Sequence, residues 1–125
     1  MPVLIVYGVT GKSEKQLQEV VNCLIKTIVD VPELALETKD VSVFIPRDQM
    51  KKGLGEEVII FVEGLFDKPE RTEKVRNRLA ANIVVAMDQM FLKTNLIECF
   101  IKPFDQNSGF YSSNMYAHVK DVGRF

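Results

Sequence analysis

Apolar runs and amphipathic stretches alternate along the chain in an order that repeats once. Val3-Leu4-Ile5-Val6-Tyr7-Gly8-Val9 is continuous and rich in β-branched residues, which reads as a strand covered on both faces. Thr10, Gly11 and Lys12 break the run. Ser13, with Gln16 three positions on, has the form of a capping box and starts a helix. Leu17, Val20, Val21, Leu24, Ile25 and Ile28 follow the i, i+3, i+4, i+7 pattern, so one stripe of this helix faces a core, and Pro32 ends it. A loop from Pro32 to Lys39 leads to a second strand, Val41-Ser42-Val43-Phe44-Ile45, stopped by Pro46.

The second half follows the same plan. Val58-Ile59-Ile60-Phe61-Val62 is a strand with no polar face. Asp67, Pro69 and Glu70 open a helix, proline being tolerated in a first turn. Val75, Leu79, Ile83, Ala86, Met87 and Met90 form its apolar stripe. Leu96-Ile97-Glu98-Cys99-Phe100-Ile101 is a fourth strand that stops near Pro103. Asp105 to Asn114 is rich in turn formers, and Met115 to Phe125 fits a short strand or a short helix equally well. Phe44-Ile45 recurs as Phe100-Ile101, and Gly53-Leu54 as Gly109-Phe110, at one constant offset.

The predicted fold class is α/β, α+β in layout: a tandem β-α-β repeat in a single domain, 1–125. Repeat 1 covers about 2–54, repeat 2 about 55–114, and a tail covers 115–125. Each unit makes a right-handed parallel crossover. Two units side by side give a four-stranded mixed sheet with two helices on one face. The other face is then bare. The first and third strands do not alternate, so several large apolar groups point away from the helices. An exposed apolar face of that size marks an interface, and we expect other subunits to cover it.

Composition narrows the function. The 125 residues are 46% hydrophobic and 26% charged, with a formal charge of −1. One domain of this size can bury a working core, and the balance argues against disorder and against a dedicated nucleic-acid binder. No apolar run approaches the ~20 residues of a membrane span. The opening residues lack the basic start and small-residue cleavage site of a signal peptide, so the expected location is cytoplasmic. Cys23 and Cys99 are far apart, form no C-x-x-C, and have a single histidine, His118, for company. No metal, cofactor or disulfide is expected.

One residue offers chemistry. Pro2 runs directly into the first strand, and proline at the second position permits removal of the initiator methionine. The mature chain would then begin with a secondary amine. An ordinary α-amino group has a pKa of ~8; an apolar setting and a nearby Lys or Arg both disfavour its charged form. Such an amine is neutral at pH 7 and acts as a general base or attacks a carbonyl. The plainer reading is a stiff start to an edge strand.

With Pro2-Val3-Leu4-Ile5-Val6, the Ser13-Glu14-Lys15-Gln16 helix start, Val41-Ser42-Val43-Phe44-Ile45 and Phe61-Val62-Glu63-Gly64, the chain resembles the tautomerase superfamily over about Pro2 to Asn114. That group includes 4-oxalocrotonate tautomerase and macrophage migration inhibitory factor, and the chain looks most like its small two-repeat bacterial members. The resemblance implies a homotrimer and an N-terminal proline acting as base on a small keto or enol acid. Pro2 matches the catalytic proline. Lys12 falls where 4-oxalocrotonate tautomerase has a substrate-binding arginine, Ser42 where it has a second, and Leu54 and Phe110 fall near its aromatic wall. Lysine cannot reproduce arginine's planar fork on a carboxylate, so a dicarboxylate substrate is not implied.

Other residues can join the site or sit idle. Lys12 binds an anion or depresses the Pro2 amine, or is a solvated turn lysine. Arg47 and Lys102, each at a strand end, reach a pocket at a subunit boundary or are surface charges. Tyr111 donates to an enolate or anchors an interface. Arg71, Lys74, Arg76 and Arg78, interleaved with Glu70 and Glu73, read as the solvated face of the second helix. Gly8 to Ser13 is too short between its glycines for a phosphate-binding P-loop. The alternative to a tautomerase is a non-catalytic, oligomeric, ferredoxin-like ligand-binding or interaction module, which shares the order of elements.

Overall fold

The computed structural model describes residues 1–47, 57–91 and 96–115. Strand β1 covers Val3–Tyr7 and helix α1 covers Glu14–Val29. Two 3₁₀ turns, Pro32–Leu34 and Thr38–Asp40, lead to β2, Ser42–Phe44. Then come β3 (Glu57–Phe66), α2 (Glu73–Met90) and β4 (Leu96–Phe104). The sheet order is β2-β1-β3-β4. β1 pairs parallel with β2 and β3 parallel with β4, while the two inner strands, β1 and β3, run antiparallel. The repeat is therefore real in three dimensions: two parallel β-α-β units joined edge to edge into a four-stranded mixed sheet. In each unit the crossover joins hydrogen-bonded neighbours. A ferredoxin-like split β-α-β unit instead separates its parallel pair with another strand, so that architecture is excluded.

The capping box at Ser13 is present, with the Gln16 amide donating to Ser13 Oγ and the Gln16 side chain accepting from the Ser13 amide. Val20, Leu24 and Ile28 from α1, and Val75, Leu79, Ile83 and Met87 from α2, are the buried stripes. They meet Leu4, Val6, Val58, Ile60, Val62 and Leu65 from the inner strands in one core. Burial of each such side chain contributes about 1.5–3 kcal/mol.

Three details differ from the sequence expectation. α2 begins at Glu73, capped by the Thr72 side chain, which accepts from the Val75 amide. Residues 67–71 therefore form the approach to the helix rather than its first turn. β4 runs through Pro103 to Phe104, because an edge strand has one side free of ladder bonds and tolerates proline there. β1 and β3 do alternate in burial even though their sequences do not alternate in polarity. Their second face carries Val3, Ile5, Tyr7, Ile59 and Phe61, with Phe44 from β2 and Phe100 from β4 in register beside them. Phe44 is 59% and Phe100 49% exposed. Tyr7 meets Phe61 edge-on at 6.0 Å, and Phe61 stacks on Phe100 at 5.4 Å. The bare apolar face expected from patterning is present.

Candidate functional site

Because the two units are antiparallel, the first residues of β1 lie against the last residues of β3. Val3 is opposite Glu63. Between Val62 and Leu65 the β3–β4 register slips, and Gly64 in that bulge has φ +68. A Cβ on Gly64 would come 3.2 Å from the carbonyl oxygen of Met1, so the bulge brings β3's backbone up against the chain start. Pro2 itself is buried, and its carbonyl accepts from the Ser42 amide at 3.2 Å.

The same place holds a residue that sequence reasoning misplaced. Arg71 is not on the solvated face of α2. It precedes the Thr72 cap, is only 6% exposed, and is the one charged residue in the core among the described residues. Its Nη1 donates to the carbonyl of Phe66 at 2.9 Å and its Nη2 to that of Leu34 at 2.8 Å. Nε has no partner among the described residues, and no carboxylate pairs with the guanidinium there. The available signal was positional: Arg71 stands immediately before the α2 cap, as Lys12 stands before the α1 cap at Ser13.

This environment acts on the α-amine. With Met1 in place, the amine's pKa lies below the ordinary value. Desolvation is the largest cause; Arg71 and Lys68 also lower it, and Asp40 opposes them. Trimming Met1 would move the amine to Pro2, one residue further into the buried edge.

The other predicted residues sort by end. β1's five residues span roughly 17 Å at about 3.3 Å each. Lys12 and Arg47 lie beyond its far end, on one cleft of about 380 Å³ also lined by Thr10, Gly11, Leu17 and Ile45. Lys12 Nζ is 5.0 Å from the centre of the Phe91 ring, a cation–π contact. The structure brings these two cations together, away from the Pro2 of the same chain. At Pro2's end, Lys102 opposes the β3 bulge from the edge strand, and Phe110 meets Phe66 edge-on at 4.8 Å. Phe104 flanks Phe66 at 6.4 Å. Tyr111 follows, exposed. Leu54 lies outside the described residues. Arg76 is half-buried, its Nη1 donating to the Arg71 carbonyl at 2.6 Å, and Arg78 is a surface group that pairs with Glu33. Among the described residues no His/Cys/Asp/Glu cluster suits a metal, and no helix is long and apolar enough to cross a membrane.

No family model and no curated protein matches this sequence. Solved structures do match over nearly the whole chain. The R7 fused 4-OT asymmetric trimer superposes with a TM-score of 0.71 at 21% identity, covering 98% of this chain and 99% of that one. The fold is the one that the 4-OT structures have. FG41 malonate semialdehyde decarboxylase inhibited by 3-bromopropiolate shares it at TM-score 0.62 and 17% identity, over 93% of this chain and 95% of its own. So does the macrophage migration inhibitory factor-like protein of Entamoeba histolytica, at 0.63 and 11%, over 89% and 95%. The tautomerase fold thus carries more than one chemistry in these neighbours, and the site must decide which applies here.

Proposed function

We propose that this protein is a tautomerase-type isomerase of a small keto or enol acid, with the secondary amine of Pro2 as general base and a homotrimer as the working unit. This reading is supported by the buried position of Pro2 and by the α-amine of Met1 next to it, whose pKa desolvation and the Arg71 charge both lower. The neutral nitrogen takes the enol O–H proton and the resulting ammonium returns a proton to carbon, so the ketone forms and the base is regenerated. Lys102 and Tyr111 supply cation and donor for the oxygen charge that builds in between, and the rings of Phe66 and Phe110 supply an apolar wall.

Lys12 and Arg47 are too far from Pro2 in one chain to share its substrate; they join the site by crossing a subunit boundary. The fused 4-OT neighbours are trimers, and the uncovered aromatic face of this sheet supports the same assembly. The test is ketonisation of phenylenolpyruvate by chain confirmed by mass to begin at Pro2. Pro2→Ala should reduce kcat/KM by ~10²–10⁴-fold; equal activity of the two proteins rules the proposal out.

A non-catalytic module is the second reading. It is favoured by one feature: while Met1 remains, the Pro2 nitrogen is an amide and has no basicity. Retention of Met1 in protein from the native host, read by intact mass, would select it.

A further inference from the structure

Lys12 is half-buried in the turn between β1 and α1, after Gly11 with its φ of +67 and before the Ser13 cap. Among the described residues no carboxylate pairs with its ammonium. Its partner is a ring from the other repeat: Nζ lies 5.0 Å from the centre of Phe91, the C-cap of α2. Phe91 is only 7% exposed, and its amide donates to the Met87 carbonyl at 2.9 Å, so core packing and the helix end fix the ring. An aromatic face attracts an ammonium without neutralising it, whereas a carboxylate there would fix the side chain and cancel its charge. Lys12 therefore keeps its positive charge and its N–H donors while its flexible four-carbon stem is held. It lines the cleft of about 380 Å³ that Arg47 also lines, and no acidic residue among the described ones does so.

We infer that Phe91 is a positioning residue: its ring holds the Lys12 ammonium on the cleft shared with Arg47, ready for the carboxylate of a small keto or enol acid, without itself touching that ligand. A lysine lacks the planar fork with which arginine grips a carboxylate, and the ring supplies from the second repeat the order that the side chain lacks. Ordering one long side chain before binding is worth about 2- to 10-fold in affinity. The inference deepens the proposed function and rests on its reading of Lys12 as a substrate cation. It concerns binding, and so can be tested apart from proton transfer at Pro2.

The experiment is an NMR titration of phenylpyruvate into the wild type, F91L, F91Y, K12M and K12M/F91L, with a thermal melt of each and phenylenolpyruvate ketonisation alongside. In the wild type the ε-methylene protons of Lys12 should lie upfield, shielded by the ring, and should move as phenylpyruvate is added. F91L should weaken phenylpyruvate binding about 2- to 10-fold and raise KM by the same factor with kcat unchanged. F91Y, which keeps the ring, should restore both. In the K12M background F91L should have no further effect. Wild-type affinity in folded F91L, with K12M weakened, overturns the inference alone. So does an F91L effect that persists in K12M or falls on kcat alone, which marks general damage to packing. Wild-type affinity in K12M instead removes Lys12 from the site, and the inference falls with that reading. Should F91L fail to fold, Lys12 protons that are unshielded in the wild type, or unmoved by phenylpyruvate, overturn it. An active Pro2→Ala protein would overturn the catalytic proposal and leave the titration standing.

Discussion

At the scale of single residues, the chemistry turns on which atom carries the chain's first lone pair. An amide nitrogen at Pro2 is inert, whereas a free imino nitrogen there is the base of the proposed reaction; the Met1 amine beside it is already lowered by desolvation and by Arg71. The sign of the environment fixes the pH dependence. A cationic acid whose charged form is disfavoured releases its proton at lower pH, so activity should rise through a pKa below that of an ordinary α-amine and stay high above it. A kcat/KM profile checks this; an acid limb at or above the ordinary value contradicts it. The thiols provide a second residue-scale test. Burial against the helices pushes Cys99 up to about 12, leaving almost no thiolate at neutral pH. Alkylation by iodoacetamide at pH 7.5 should therefore modify Cys99 far more slowly than free cysteine, with the rate read by mass spectrometry.

Among the elements, the β3 bulge does most to place the site. A straight β3 would continue its pairing with β4 without the slip at Val62/Leu65, and the chain start would not meet Gly64. Gly64→Ala forces a Cβ into a left-handed residue, at a cost of about 1–2 kcal/mol, and sets that carbon 3.2 Å from the Met1 carbonyl oxygen. The expected result is a lower melting temperature together with a shifted N-terminal amine pKa, because the chain start must move. The caps matter on the same scale. Thr72 ends the approach segment and starts α2, which keeps Arg71 off the helix and turns it inward.

For the whole molecule, the decisive feature is the sheet face that no helix among the described residues covers. Phe44, Phe61, Phe100, Tyr7 and Ile5 form a continuous apolar surface across four strands. Placing a carboxylate in its middle leaves the core of the protomer untouched but makes burial of that face costly. Phe61→Glu, or Phe44→Glu with Phe100→Glu, should convert the proposed trimer to monomers in light scattering while far-UV circular dichroism persists. On the proposed trimer the same variants should also lose turnover, since Lys12 and Arg47 would reach a Pro2 site only from a neighbouring chain. A trimer that survives the double substitution would place the interface elsewhere.

The sequence by itself determined the elements, their duplication and the bare apolar face. Each of those follows from local periodicity: the stripe Val20-Leu24-Ile28, the stripe Val75-Leu79-Ile83-Met87, and two strands with no polar side. It also made Pro2 the candidate for the proposed chemistry. Only the tertiary structure decided what surrounds Pro2. Strand direction put the β3 end, and not Lys12, beside the chain start, and antiparallel pairing of two parallel units is a long-range choice that no window of residues encodes. Arg71 was illegible for the same reason: among Glu70, Glu73 and Lys74 it has the pattern of a solvated charge, and its burial depends on carbonyls from Leu34 and Phe66 that come together only when the two repeats close on each other.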